Sequence, residues 1–289
     1  MPAWVAAFMF IVAAAPARER PMDHNALSDF KSRIGFSKLA ELAGSDGVRA
    51  NWDDLPKVLG GITKGKRAYS DRANPTQSGE GTRDISWRLK EGSLIVDVLV
   101  SGSGPAGAQQ AFLRRASATT RGKVPYDLRP GRLGDLAVCN PLNASGVVMW
   151  IYRNVYVVVD GDGTGIDLDP AVHAIQKFME AHKVTRLADH LPVVEHVKVS
   201  KQQIHVGEEF QVTIVLGKQT PLDSVLTDFS EVLDPKTMED KLELMTSTAL
   251  SATFRAEKPG QTHIDVPVMD RKTLLSPPLR VTIDVLPAR

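Results

Sequence analysis

Residues 93–116 read SLIVDVLVSGSGPAGAQQAFLRRA, and the parsing of this stretch decides the fold. Leu94 to Val100 has the β-branched content of a strand. Gly102 to Gly107 supplies turn residues, and Ala108, Ala111, Phe112 and Ala116 recur at helical spacing over 107–119. Strand, glycine turn and helix in this order open two architectures. In one the helix leads to a second strand parallel to the first; in the other it folds back onto an antiparallel sheet.

Gly102, Gly104 and Gly107 stand at the spacing G-x-G-x-x-G, and over six residues GSGPAG resembles the flavin-type fingerprint of dinucleotide-binding proteins. The resemblance implies a nucleotide cofactor, flavin or nicotinamide, on a glycine turn whose backbone approaches the pyrophosphate at a helix N-terminus. That unit needs a second parallel strand and an acidic residue roughly 20 positions on. Here the helix runs into Ala118-Thr119-Thr120-Arg121-Gly122-Lys123-Val124-Pro125, and Asp127 lies between two prolines. Asp97 interrupts the preceding strand, where a central parallel strand is apolar on both faces. Arg114 falls where an apolar side chain should press on the sheet. The flanks therefore favour an antiparallel layer with no cofactor, and a cofactor enzyme using Gly102–Gly107 stands as the alternative.

Working outward, Leu27, Phe30, Ile34, Leu39 and Leu42 have helical spacing broken near Gly35, and the polar residues 70–84 suggest a loop. Ile85–Leu89 and Leu94–Val100 form strands about a turn at Lys90-Glu91-Gly92, and Leu133–Cys139 forms another. Residues 147–159, VVMWIYRNVYVVV, are one long strand or a hairpin turning at Arg153-Asn154. A helix follows with Asp169 as N-cap and Pro170 as first helical residue; Val172, Ile175, Phe178 and Met179 form its apolar face. Residues 25–185 are thus expected to be an α+β domain, an antiparallel sheet with two or more helices, compact from about residue 85.

After Pro192 the pattern becomes period two: Val197 and Val199, Ile204 and Val206, Phe210 to Leu216, Ala252 to Ala256, Thr262 to Val266, Leu279 to Val285. Strands of this kind over 192–289 predict an all-β immunoglobulin-like sandwich. Ile204-His205-Val206-Gly207-Glu208-Glu209-Phe210-Gln211-Val212 and Phe254-Arg255-Ala256-Glu257-Lys258-Pro259-Gly260 resemble strands of bacterial Ig-like modules. The resemblance covers the last third of the chain and implies an extracytoplasmic spacer or adhesion module.

Residues 1–17 have the form of a signal peptide, an apolar run ending in Ala15-Pro16-Ala17, so the product is expected outside the cytoplasm, periplasmic or secreted. A net charge of +1 over 289 residues gives the whole molecule no strong field. Nucleic acid is not expected as a partner, since the basic run has no interleaved aromatics, and no run is long enough to span a membrane. The lone Cys139 is expected to pack in a core. Arg114, Arg115, Arg121 and Lys123 form a candidate anion site. Asp160, Asp162 and Asp169 are candidate calcium ligands in a loop whose twelfth position is Ala171 instead of a carboxylate. No catalytic set stands at recognisable spacing. The expected function is an exported non-catalytic binding or structural module with a protein or glycan partner; a calcium-stabilised adhesion protein is a further alternative.

Overall fold

The computed structural model describes residues 24–42, 44–75, 80–90, 92–118, 124–140, 146–162, 166–216, 222–225, 228–229, 243–246, 249–266, 268–270 and 279–289. The expected signal peptide, residues 1–17, lies outside these described residues. The chain divides into two compact units at Leu191 and Pro192. Helices and antiparallel sheets are mixed, with strands predominating.

The first unit contains helices α1 (His24–Arg33), α2 (Leu55–Val58), α3 (Pro105–Ala118) and α4 (Asp169–Ala181). Its strands are β1 (Gly47–Val48), β2 (Ser70–Pro75), β3 (Glu80–Arg88), β4 (Ser93–Ser101), β5 (Asp127–Leu128), β6 (Leu136–Cys139), β7 (Val147–Tyr152), β8 (Val155–Asp162) and β9 (Lys183–Val184). Seven of them form one sheet in the order β2-β3-β4-β8-β7-β6-β5, antiparallel at every pairing.

Period-two alternation sends the apolar side chains of β7 and β8 alternately to two cores. Val148 and Trp150 of β7 and Val155, Val157 and Val159 of β8 join Val172, Ile175 and Met179 of α4, with Trp52 and Leu55. Met149, Ile151, Tyr156 and Val158 point the other way, onto Ala108, Ala111 and Phe112 of α3 and Phe30 and Ile34 of α1. A sheet covered on both faces accounts for the unbroken apolar run of 147–159, which is a hairpin: Tyr152 pairs with Val155 across Arg153-Asn154. The fully buried Asn154 locks this turn. Its Oδ1 accepts from the Val48 N–H at 2.6 Å, and its Nδ2 donates to the carbonyls of Ser101 at 3.2 Å and Val48 at 3.4 Å.

Several local expectations are corrected. The polar stretch 70–84 is largely an edge hairpin, since Ser70–Pro75 pairs with Gly81–Ser86. Backbone pairing onto β4 organises residues whose side chains gave no strand signal, and Pro75 is tolerated at the end of an edge strand. The packed layer reaches back well before residue 85, since Val48, Trp52, Leu55 and Leu59 are fully buried. Helix α3 opens at Pro105, not Gly107. Asp169 is already helical and Leu168 is the N-cap; the Asp167 carboxylate, one residue before it, accepts the Asp169 N–H at 3.0 Å. Asp127 lies in an edge strand instead of a loop.

The second unit has β10 (Val194–Val199), β11 (Gln203–His205), β12 (Glu209–Leu216), β13 (Leu222–Val225), β14 (Asp228–Phe229), β15 (Glu243–Thr246), β16 (Ala249–Arg255), β17 (Gly260–Val266), β18 (Val268–Asp270) and β19 (Leu279–Leu286). Two four-stranded sheets form, β10-β12-β16-β15 and β11-β19-β17-β14, and β13 pairs with β18. One apolar cluster draws Phe210, Val212, Ile214 and Phe254 from the first sheet and Ile204, Ile264, Ile283 and Val285 from the second. Phe210 and Phe254 are cross-strand partners with rings stacked at 5.5 Å. In the turn before β12, Gly207 takes a φ of 88°, and Glu208 accepts the His205 N–H at 3.2 Å, which holds its carboxyl below the usual range.

Candidate functional site

Helix α3 covers only part of the sheet face it packs on, and the register shows where the cover ends. On that face β3, β4 and β8 contribute successive rows: Arg88–Ser93–Asp162, Ser86–Ile95–Asp160, Asp84–Asp97–Val158 and Thr82–Leu99–Tyr156. Val158 and Tyr156 belong to the core under α3, with Leu99 packed against it. The rows beyond are polar apart from Ile95, and all the side chains of the four rows are half-buried or exposed except Val158 and Tyr156. Asp84 and Asp97 face each other directly, and Asp160 is a diagonal neighbour of Asp97. Side chains so related stand roughly 5 Å and 7–8 Å apart at Cβ.

Arg115 reaches this surface from the last turns of α3, its Nη2 3.7 Å from Asp97 Oδ2. Burial of Asp97 and the facing Asp84 charge push its carboxyl up to about 6, with Asp160 adding to the rise and Arg115 opposing it. Burial and the charge of Asp162 likewise raise Asp160. Three carboxyl groups, fixed on paired strands and capped at one side by a guanidinium, offer acceptors and, below about pH 6, a proton retained on Asp97.

The glycine turn has a structural explanation. A Cβ at Gly107 would overlap Ser101 Oγ and Ser103 Oγ and lie 3.0 Å from Ser101 Cβ, so the glycine allows α3 to start against the end of β4. Gly104 adopts a φ of 78° in open space, a conformation that favours glycine. Ser101 Oγ occupies the Ser103 N–H at 3.2 Å. Both neighbours of β4 are antiparallel to it, so Gly102, Gly104 and Gly107 do not open a parallel βαβ unit.

Of the candidate calcium ligands, Asp160 and Asp162 extend along β8, while Asp169 is bonded to Arg129 at 2.5 Å. No group of three potential ligands forms among the described residues. Arg114 and Arg115 are exposed on α3, but Arg115 faces carboxylates; Arg121 and Lys123 lie outside the described residues. Cys139 is buried in the core beside α4, and burial pushes its thiol up. Among the described residues no helix is long and apolar enough to cross a membrane.

No protein-family model and no curated protein matches the chain. Among solved structures, a polysaccharide lyase aligns with 75% of this chain at 9% identity and a TM-score of 0.25. The alignment takes in 33% of that protein, so the chain spans about a third of its length. A likeness at this level carries no argument for fold or activity.

Sequence reasoning noticed Asp97 only as an interruption and passed over Asp84, because 70–84 looked like a loop. The available signal was period two: once β3 is extended back to Glu80, Asp84 and Asp97 fall opposite each other about the β3–β4 turn.

Proposed function

We propose that the chain is an exported, non-catalytic glycan-binding module, an α+β unit that carries the binding face followed by an immunoglobulin-like sandwich. The observation that carries this reading is the polar end of the α3-facing sheet surface, where Asp84, Asp97 and Asp160 stand beside Arg115. Carboxylates fixed on a rigid sheet accept charge-assisted hydrogen bonds from sugar hydroxyls at low entropic cost. Support for the sandwich comes from the apolar cluster shared by two four-stranded sheets. Support for export comes from the composition of residues 1–17.

One observation favours a second reading: a carboxyl that keeps its proton to about pH 6 beside another carboxyl suits general acid chemistry on a glycosidic bond. The flavin or nicotinamide enzyme and the calcium-stabilised adhesion protein have no comparable geometric support.

A thermal-shift screen of the full chain with neutral and acidic polysaccharides, flavins, nicotinamide nucleotides and calcium tests this. A glycan is expected to raise Tm, with at least tenfold weaker binding in Asp97→Asn and no release of reducing ends. Equal binding by that variant, or a response to nucleotide alone, would overturn the proposal. Release of reducing ends that Asp97→Asn abolishes would favour the enzyme.

A further inference from the structure

The row that ends the acidic face begins with a base, Arg88, one strand from Ser93 and two from Asp162. Arg88 belongs to a larger exposed group. Residues 55–70, LPKVLGGITKGKRAYS, contain four Lys or Arg and no Asp or Glu. Lys64, Lys66, Arg67, Arg88 and Lys90 are all exposed, and among the described residues none of them enters an ion pair. The group is ordered. The Arg88 guanidinium lies 5.3 Å from the centroid of the Tyr69 ring, and Lys66 Nζ donates to the Arg88 carbonyl at 3.2 Å. The Tyr69 N–H in turn donates to the Ser86 carbonyl at 2.9 Å, which fixes this edge to β3. Tyr69 is 55% exposed, the highest value but one among the exposed large apolar side chains described.

We infer that the bound glycan is anionic, and that its carboxylate or sulfate groups are read by Arg88 with Lys66 and Arg67 while Tyr69 carries a sugar ring. A guanidinium held over a ring is partly pre-ordered before binding, and its fork matches a carboxylate or sulfate edge. The hydroxyls of the same chain meet the carboxyl rows alongside. An acidic polymer is favoured over a neutral glycan by charge complementarity to the five exposed cations. A single ring already covered on one side by Arg88 gives no run of bases a platform, which disfavours nucleic acid. Tyr69 is the only exposed large apolar group described on this edge, so a membrane surface finds nothing to insert.

The inference rests on the glycan-binding reading, and the experiment separates the two. The full chain is titrated calorimetrically with polygalacturonate, dextran sulfate and neutral dextran at 50 and 300 mM NaCl, alongside Arg88→Gln, the triple variant K64E/K66E/R67E, Asp97→Asn and, as an exposed control, Lys198→Gln. The expected result is binding of an acidic polymer that weakens at least tenfold in Arg88→Gln, more in the triple variant, and with added salt, while Lys198→Gln matches wild type. The inference is overturned if Arg88→Gln and the triple variant bind as wild type does, if no acidic polymer binds, or if a single-stranded oligonucleotide or phosphatidylserine vesicles bind more tightly than both acidic polymers. Loss in Arg88→Gln with no change in Asp97→Asn would keep the basic edge and remove the carboxyl rows.

Discussion

At the scale of single residues, Asp97 carries the most testable chemistry. Its carboxyl is raised from 3.8 to about 6, first by burial and then by Asp84, so the folded protein holds this proton more tightly than the unfolded chain. The stabilisation is therefore complete below about pH 4 and is lost as pH rises through about 6. The full shift would be worth about 3 kcal/mol, but a side chain one-third exposed beside Arg115 is screened, leaving about 1 kcal/mol. Urea unfolding across pH 4–8 should show stability falling over that window, and Asp97→Asn should flatten the fall and be more stable than wild type at pH 7. An unchanged pH profile in the variant would remove the shared charge from the account. Gly107 offers a second residue-level prediction. Gly107→Ala drives a methyl into Ser101 and should cost about 1–3 kcal/mol by overpacking. Gly104→Ala meets open space and should cost only about 1 kcal/mol, from its positive φ. Equal, small losses at both sites would mean that the helix start is not wedged against β4.

At the scale of elements, Asn154 ties the β7–β8 turn to β1 and to the end of β4 through three hydrogen bonds. Asn154→Ala leaves a buried N–H and two carbonyls without that partner and should cost about 2–4 kcal/mol, read as a lowered urea midpoint at unchanged m. A loss under 0.5 kcal/mol would show that water replaces the side chain. The same scale explains what the sequence made legible. Helix α4 was readable because its apolar face repeats at helical spacing, and the strands around Leu94–Val100 and 147–159 because short β-branched apolar runs declare strands, although the run of 147–159 left one strand or a hairpin open. The hairpin of β2 and the first half of β3 was not, because Asp71, Arg72, Asn74 and Thr82 are organised by backbone pairing onto a sheet already formed. The carboxyl rows share that fate. Strand register brings Asp84, Asp97 and Asp160 together, and register is a property of paired strands that spacing along one chain does not display. Gly102–Gly107 misled in the opposite direction: the close approach of helix to strand was real, but antiparallel neighbours deprive it of the dinucleotide context.

At the scale of the whole molecule, the division at Leu191 and Pro192 separates a unit with helices on both sides of one sheet from a unit in which β10, β11, β12, β16, β17 and β19 contribute to one apolar cluster. Each has its own core, so limited proteolysis should release a fragment beginning near Pro192 that keeps a β-type circular dichroism spectrum. A fragment that is degraded as fast as it appears would contradict independent stability. The proposed recognition surface is built from residues of the first unit, and this can be tested without crystals. Carboxyl groups of the full chain are labelled at pH 6 with a carbodiimide and glycinamide, with and without saturating polygalacturonate, and the labelling is read by mass spectrometry. The account predicts selective protection of Asp84, Asp97 and Asp160 by the polysaccharide while the carboxyls of 192–289 label as before; equal labelling of the three aspartates with and without it, at a concentration where it binds, would contradict the account.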